Sequence, residues 1–449
     1  MGWASCPPEE YGLNEPRRRE GREERWKKEE DQCYSAGEGL GFSLFQCCQL
    51  YSKFIMRILV ASHTYIVDLN CEKLRALSRL QPGIEVTVVV PKCWKPGGVQ
   101  NKIIESKYRD EGAFKIVPVS NFSQNHQGLL TFGADLITLL RKFRPQIIHV
   151  EQGSRGLAYT QMIVLNQLLG LKAKNVFFTW WNLPYELKLP VALLEKYNLN
   201  NSHGIISGNQ DGAEILRQRG YNGTIKVMPQ LGVDETLFTP QLQPELAAKL
   251  GINEGDFVVG FVGRFVPEKG LLTLLQSLIS LKDQPWKLLL LGRGDLKDEL
   301  IKISAENNIQ DRLIMVESVP HDEVAKYINL MSTLVLPSET TYKFKTLTAV
   351  GWKEQFGHVL IEAMACKVPV IGSDSGEIPY VIGDAGLIFP EGDSQALANC
   401  LLQLMEKPDL AESLGALGYE KAMFQYTNKA LAQQQFEFYS RIQESGVKA

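Results

Sequence analysis

The 449-residue sequence contains no apolar stretch near the roughly 20 residues that a membrane-crossing helix needs, so any membrane contact is expected to be peripheral. It has eight cysteines but no C-x-x-C pair. Cys47 and Cys48 are adjacent and the rest are scattered, which gives neither a zinc framework nor a disulfide scaffold. Cys366 and Cys400 read as buried inert thiols and the expected compartment is a reducing cytoplasm. A formal net charge of −3 excludes the strong basic footprint of a general nucleic-acid binder. The GxxxxGK[ST] phosphate loop is missing. Gly292-Arg293-Gly294 lacks the third glycine of a dinucleotide fingerprint, because position 297 is Lys. No two aspartates stand in an Asp-x-Asp arrangement, so no metal site and no cofactor is expected.

A hydrophobic fraction of 44% with 22% charged residues describes a globular chain, and its length calls for two cores. Residues 1–55 differ from the rest. They mix both charge signs over 9–31, and are expected to lie outside the fold, with Met56 as the natural start. From Met56 onward, short β-branched runs alternate with longer helical patterns. This predicts an α/β protein: two doubly wound, Rossmann-like domains of mainly parallel sheet facing a cleft. Strands are expected at 57–61, 85–90, 147–150, 176–179 and 204–207, then at 257–262, 287–291, 313–316, 333–336 and 369–372. Helices are read at 69–79 and 132–143, a third is expected to start under a Ser318 cap, and Asn428 opens a last amphipathic one. The pattern loosens from Met228 to Pro244. The division is therefore 1–55 extension, 56–232 first domain, 233–427 second domain and 428–449 tail helix.

Two segments of the second half carry chemistry. Gly263-Arg264-Phe265-Val266-Pro267-Glu268-Lys269-Gly270 joins a buried strand to a helix, where unpaired N–H groups and a positive dipole end gather. Arg264 adds a planar fork and Lys269 a point charge, which suits a diphosphate; a solvated loop in which both cations pair with Glu268 is the alternative. The second segment runs from Glu354 through Phe356, Gly357, His358 and Val359 to Glu362. Gly357 permits close backbone approach, and the helix start offers N–H groups to an anion or hydroxyl. Glu354 and Glu362 stand about two helical turns apart, spaced to grip different hydroxyls of one elongated ligand. Glu362 lies within Val-Leu-Ile-Glu-Ala-Met-Ala, and a carboxylate among apolar neighbours needs a partner.

The GRFxPEKG loop, the Glu354/Glu362 pair and Ile371-Gly372-Ser373-Asp374-Ser375-Gly376-Glu377-Ile378-Pro379 resemble the GT-B-fold retaining glycosyltransferases of family four. The match is specific from about Gly232 to Tyr426; before that it rests on strand order and on Pro145–His149. The resemblance implies a hexosyl transfer from a nucleotide-diphosphate sugar to a saccharide or lipid-linked acceptor, as in polysaccharide assembly. Retention of configuration is implied with it, and the missing Asp-x-Asp spacing makes the expected transfer metal-independent. Arg264 and Lys269 would hold the diphosphate near Gly263, Glu354 with the Phe356–Val359 backbone the hexose, and Glu362 the ribose. Val319 would lie near the base, and the tail helix would cross back to the first domain.

Where relatives carry a Gly-Gly loop after the first strand, this chain has Ser62 to Asp68, and where many have a second histidine it has Glu151. The first-domain group that assists the acceptor is therefore open. His149 ends a strand and fits either a catalytic or a structural histidine. His63, Tyr65, Glu151, Trp181 and Asn182 are the acceptor-side candidates, the tryptophan as a stacking platform or as packing. Residues 340–353 are expected to form a flap beside the sugar. Competing readings are a sugar-nucleotide epimerase of the same fold and a catalytically silent binding protein, with a dinucleotide oxidoreductase behind them.

Overall fold

The computed structural model describes residues 55–95, 103–345 and 350–444, so the expectations for the extension before Ile55 lie outside the described residues. Two sheets organise the chain. The first runs Thr224–Val227, Gly204–Ser207, Lys174–Thr179, Ile147–Val150, Met56–Ala61, Ile84–Pro91, Phe114–Val119 and Arg109–Asp110, with only the last pair antiparallel. The second runs Leu313–Val316, Trp286–Leu291, Phe257–Val262, Thr333–Leu336, Val370–Ser373 and Gly386–Phe389, parallel throughout. Most of their central strands are buried along their whole length because helices cover both faces, which explains their continuous Val/Ile/Leu composition.

Strand order dictates where ligands can bind. In the first sheet the order reverses between Met56–Ala61 and Ile147–Val150, and in the second between Phe257–Val262 and Thr333–Leu336. At such a switch point the loops leaving neighbouring strands diverge and open a crevice at the carboxyl ends. The loops concerned are 62–68 and 151–156 in the first domain, and 263–270 and 337–340 in the second.

The last helix, Asn428–Glu444, belongs to the first domain's packing. Leu431, Phe438, Tyr439 and Ile442 share a buried cluster with Ile58, Val86 and Leu74. The chain thus passes between domains twice, and the two passages touch. Val233 N–H donates to the Tyr426 carbonyl at 2.8 Å and Asn428 N–H to the Val233 carbonyl at 3.1 Å. A Cβ on Gly232 would come within 2.8 Å of Asn428 N and of the Tyr426 carbonyl oxygen, so only glycine fits that approach.

Some local expectations are corrected. Ser318 does not cap a helix: Pro320, with φ −53° and ψ 146°, takes the N-cap and the helix runs His321–Ile328. The proline ring fixes φ and leaves no side chain to cap with. The helix expected from residue 69 starts later, at Glu72, after two 3₁₀ turns (Thr64–Ile66 and Asp68–Cys71). Thr341–Lys345 and Val350–Trp352 pair antiparallel as a separate two-stranded sheet, whose Tyr342, Phe344 and Val350 are exposed. Phe114–Val119, Thr224–Val227 and Gly386–Phe389 are further strands beyond those expected, and each includes half-exposed positions.

Candidate active site

The loop after Phe257–Val262 tightens into a 3₁₀ turn, Pro267–Lys269, before the helix Leu271–Ser280. Gly270 joins them at φ +65°, where a Cβ would collide with the Pro337 carbonyl oxygen. That collision fixes the identity of Gly270, and its absence lets the two switch-point loops touch. Lys269 consequently lies against the next loop. Its Nζ is 2.5 Å from Glu354 Oε2 and 5.1 Å from the Trp352 ring centroid, while Ser338 Oγ donates to the same Oε2 at 2.8 Å. Burial alone would raise the Glu354 carboxyl, but the Lys269 ammonium and the Ser338 hydroxyl hold it below its ordinary value. Lysine has three N–H donors, so one ammonium can neutralise Glu354 and still serve a ligand oxygen. Arg264 is mostly exposed, and its Nη2 is 3.5 Å from Glu268.

Downstream of Glu354, Gly357 caps the helix His358–Ala365 in a left-handed conformation (φ +84°), and no side chain caps that helix start. Phe356 is buried among Trp180, His358 and Tyr426 rings at 6.1, 4.9 and 5.7 Å, which sets the depth of the loop. Val359 packs in the second domain's core, and burial lowers the His358 imidazole to about 4, so it stays neutral. Glu362 follows one turn into the helix. No described residue donates a hydrogen bond to its carboxyl, and burial raises it to about 7. An acid in that state is waiting for donors. Val319 is half-buried, three residues past Leu313–Val316, and Gly263 directly follows Phe257–Val262.

The first domain reaches this loop directly. Asn182 Nδ2 donates to the Glu354 carbonyl at 3.0 Å and Asn209 Nδ2 to the Gln355 carbonyl at 3.3 Å. Gln210 N–H donates to Glu377 at 2.8 Å, and Lys353 pairs with Asp211 at 2.6 Å. Neither Ser338 nor Asn209 was singled out from the sequence, although each lies just beyond a strand's carboxyl end, the one signal that pointed to them.

The other first-domain candidates separate into two groups. His63 is half-buried at the crevice, its ring tilted at 44° to that of Trp94 with centroids 5.0 Å apart and its Nε2 2.6 Å from Gln127, and burial lowers it to about 4. Trp181 lies beside Asn182, its indole N–H on the Leu183 carbonyl. His149, Tyr65 and Glu151, in contrast, are interior. Strand alternation turns His149 toward the tail helix, where it is fully buried with Nδ1 2.7 Å from the Tyr439 hydroxyl. This placement makes it a packing histidine instead of a cleft-facing base. Tyr65 donates to Glu151 Oε1 at 2.7 Å and Gln230 to Oε2 at 2.6 Å, with buried Lys73 supplying the counter-charge; neither Tyr65 nor Glu151 offers a free group to an acceptor.

Part of the chain resembles known proteins. Residues 243–421, which contain Arg264, Lys269, Glu354 and Glu362, match the family described as Glycosyl transferases group 1. The N-acetyl-alpha-D-glucosaminyl L-malate synthase of Bacillus anthracis is 27% identical over 53% of this chain and 55% of its own. The chain spans about half the length of the curated relatives it matches. Among solved structures, a sucrose-phosphate synthase from Thermosynechococcus elongatus covers 87% of this chain and all of its own, with TM-score 0.61 at 21% identity. An Anabaena protein crystallised with UDP-glucose covers 86% of this chain and all of its own, with TM-score 0.62 at 17% identity. The fold is the GT-B arrangement of two Rossmann-like domains. No helix among the described residues is long and apolar enough to cross a membrane.

Proposed function

We propose that this chain is a glycosyltransferase that moves a hexosyl group from a nucleotide-diphosphate sugar to a saccharide or lipid-linked acceptor, with retention of configuration. The observation that carries the reading is the Lys269–Glu354–Ser338 cluster at the second sheet's switch point, inside the matched segment and one helix start away from Glu362.

In this reading Arg264 and the remaining Lys269 donors hold the diphosphate beside Gly263, and the base lies near Val319. Glu354 and the backbone from Phe356 through Gly357 and His358 to Val359 hold the hexose. Glu362 accepts from the ribose hydroxyls, which accounts for a carboxyl with no donor among the described residues. The bond between the anomeric carbon and the phosphate oxygen breaks, and the nucleoside diphosphate departs with the electron pair. The acceptor oxygen bonds to the same face of that carbon, and its proton passes to the departing phosphate. Negative charge grows on the leaving group in the transition state, where fixed cations act most strongly. The interior placement of His149 and Glu151 favours this proton route over a first-domain base.

A panel of UDP-, GDP- and ADP-sugars tests the reading through thermal stabilisation, which rises with donor concentration over Kd. One donor should stabilise the protein and release its nucleoside diphosphate in the presence of acceptor, with the product anomer matching the donor's by NMR. An altered free nucleotide sugar would instead support the epimerase, and a panel without any stabilising member would remove the donor site.

A further inference from the structure

The two cations at the second sheet's switch point are held very differently. The Arg264 side chain is 64% exposed and its contact with Glu268 is long, at 3.5 Å. The Lys269 side chain is only 16% exposed, with Nζ 2.5 Å from Glu354 and 5.1 Å from the centroid of the Trp352 ring that it faces. Lysine carries its charge on a flexible four-carbon stem, so one ion pair leaves the ammonium free to swing around the carboxylate. An aromatic face within about 6 Å attracts a cation and takes away much of that freedom. Glu354 and the indole together confine the remaining N–H donors of Lys269 to the side that stays exposed.

The indole is carried there by the two-stranded sheet, in which Trp352 pairs with Thr341. The second domain holds the start of this sheet. Thr340 N–H donates to Glu391 at 2.7 Å, and the Thr340 and Ser375 hydroxyls are 3.3 Å apart. The first domain meets its end. A Cβ on Gly351 would stand 3.5 Å from Leu183 Cδ1, and Lys353 pairs with Asp211 at 2.6 Å. Trp352 lies between these two first-domain contacts and is half-buried, whereas Tyr342, Phe344 and Val350 of the same sheet are exposed. Both halves of the molecule therefore set where the ring stands over Lys269.

We propose that Trp352 is a positioning residue for sugar transfer, whose indole face fixes the Lys269 ammonium so that its remaining N–H donors meet the charge growing on the departing diphosphate. The inference rests on the glycosyltransferase reading and adds to it a residue that acts through Lys269. A cation fixed before the reaction stabilises developing charge without reorganising. The ring should therefore act on kcat more than on the KM of the donor.

Three variants of the full chain test it. Trp352→Leu and Trp352→Gln remove the ring, and Trp352→Phe keeps an aromatic face. With the donor that stabilises the protein, both ring-less variants should show kcat about tenfold lower and donor KM within about twofold of the parent. Their melting temperatures should stay near the parent's. Calorimetry should show the nucleoside diphosphate, which bears the full charge of the leaving group, bound about tenfold more weakly. Trp352→Phe should recover most of both losses. Ring-less variants with the parent's kcat, a loss confined to KM, or a Phe variant as poor as the ring-less ones would each overturn the role of Trp352 while leaving the glycosyltransferase reading in place. A parent chain that binds no nucleoside diphosphate and transfers no sugar would remove that reading and the proposal with it.

Discussion

Asn182 in the first domain donates its side-chain amide to the backbone carbonyl of Glu354 in the second, at 3.0 Å. The residue proposed to hold the sugar is thus positioned by the domain opposite. Replacing Asn182 with Ala removes this bond and a longer one at 3.4 Å to the Lys353 carbonyl, a loss of about 1 kcal/mol for the shorter contact. The Glu354 carbonyl keeps the Glu377 N–H at 3.3 Å, so folding should be little affected. Steady-state kinetics should show kcat/KM lower by about tenfold, with a melting temperature close to that of the parent; unchanged kinetics would show that the contact has no bearing on the site.

Arg264 and Lys269 should differ in what they lose. Arg264 is exposed and its contact with Glu268 is long, so Arg264→Ala should leave stability within about 1 kcal/mol. Its kcat should nevertheless fall by about 2–4 kcal/mol of transition-state stabilisation. Lys269→Met strands a buried carboxylate and should cost about 3–5 kcal/mol in denaturant unfolding. Adding Glu354→Gln to Lys269→Met should restore much of that stability while activity remains lost.

The pH dependence of Glu362 has a definite sign. Its folded carboxyl titrates at about 7 against 4.5 in the reference state, so between these values the native protein keeps a proton that the unfolded chain has released. This group's contribution to stability is full below 4.5 and is lost as pH climbs toward 7. Glu362→Gln should flatten that part of the melting-temperature profile. Donor affinity in the parent should rise through pH 7, because only the carboxylate accepts from both ribose hydroxyls. A donor affinity flat across this range would remove Glu362 from the ribose.

Metal dependence is checked by chelation. With Arg264 and Lys269 meeting the leaving group, transfer should persist in excess EDTA. Complete loss, restored by magnesium or manganese, would contradict that assignment.

Tyr439→Phe tests the tail helix. It strips the partner from the His149 Nδ1 and from the Gln435 amide, both buried, and should cost about 1–3 kcal/mol with kcat nearly unchanged. A large fall in kcat at full stability would return His149 to the catalytic group.

Most of the fold was readable because its central strands are buried on both faces and therefore spell continuous apolar runs; Ile147–Val150, Gly204–Ser207, Phe257–Val262 and Thr333–Leu336 have the bounds expected, as does Leu313–Val316, which is half-buried but apolar throughout. Thr224–Val227, half-buried and interrupted by Lys226, has no such spelling. For the site, the loops with Arg264, Lys269, Glu354 and Glu362 stand out locally, through a glycine-bounded junction and an acid in an apolar helix. What the sequence withheld is tertiary. The direct Lys269–Glu354 contact depends on how two loops pack around Gly270, and the side of the sheet that His149 faces depends on a helix some 290 positions later. Ser338 and Asn209 are ordinary polar residues whose importance comes only from the carbonyls and carboxylates brought beside them.

The paired passages at Val233 and Tyr426–Asn428 limit how the two halves of the molecule can part. A single flexible tether would leave relative twist and slide free. Two strands laced to each other by backbone hydrogen bonds behave as a door hinge with one pin, so the cleft is expected to widen by swinging about that line. Cutting the chain near Thr427 would do more than loosen the hinge: it would take Leu431, Phe438, Tyr439 and Ile442 out of the first domain's interior and expose an apolar face there.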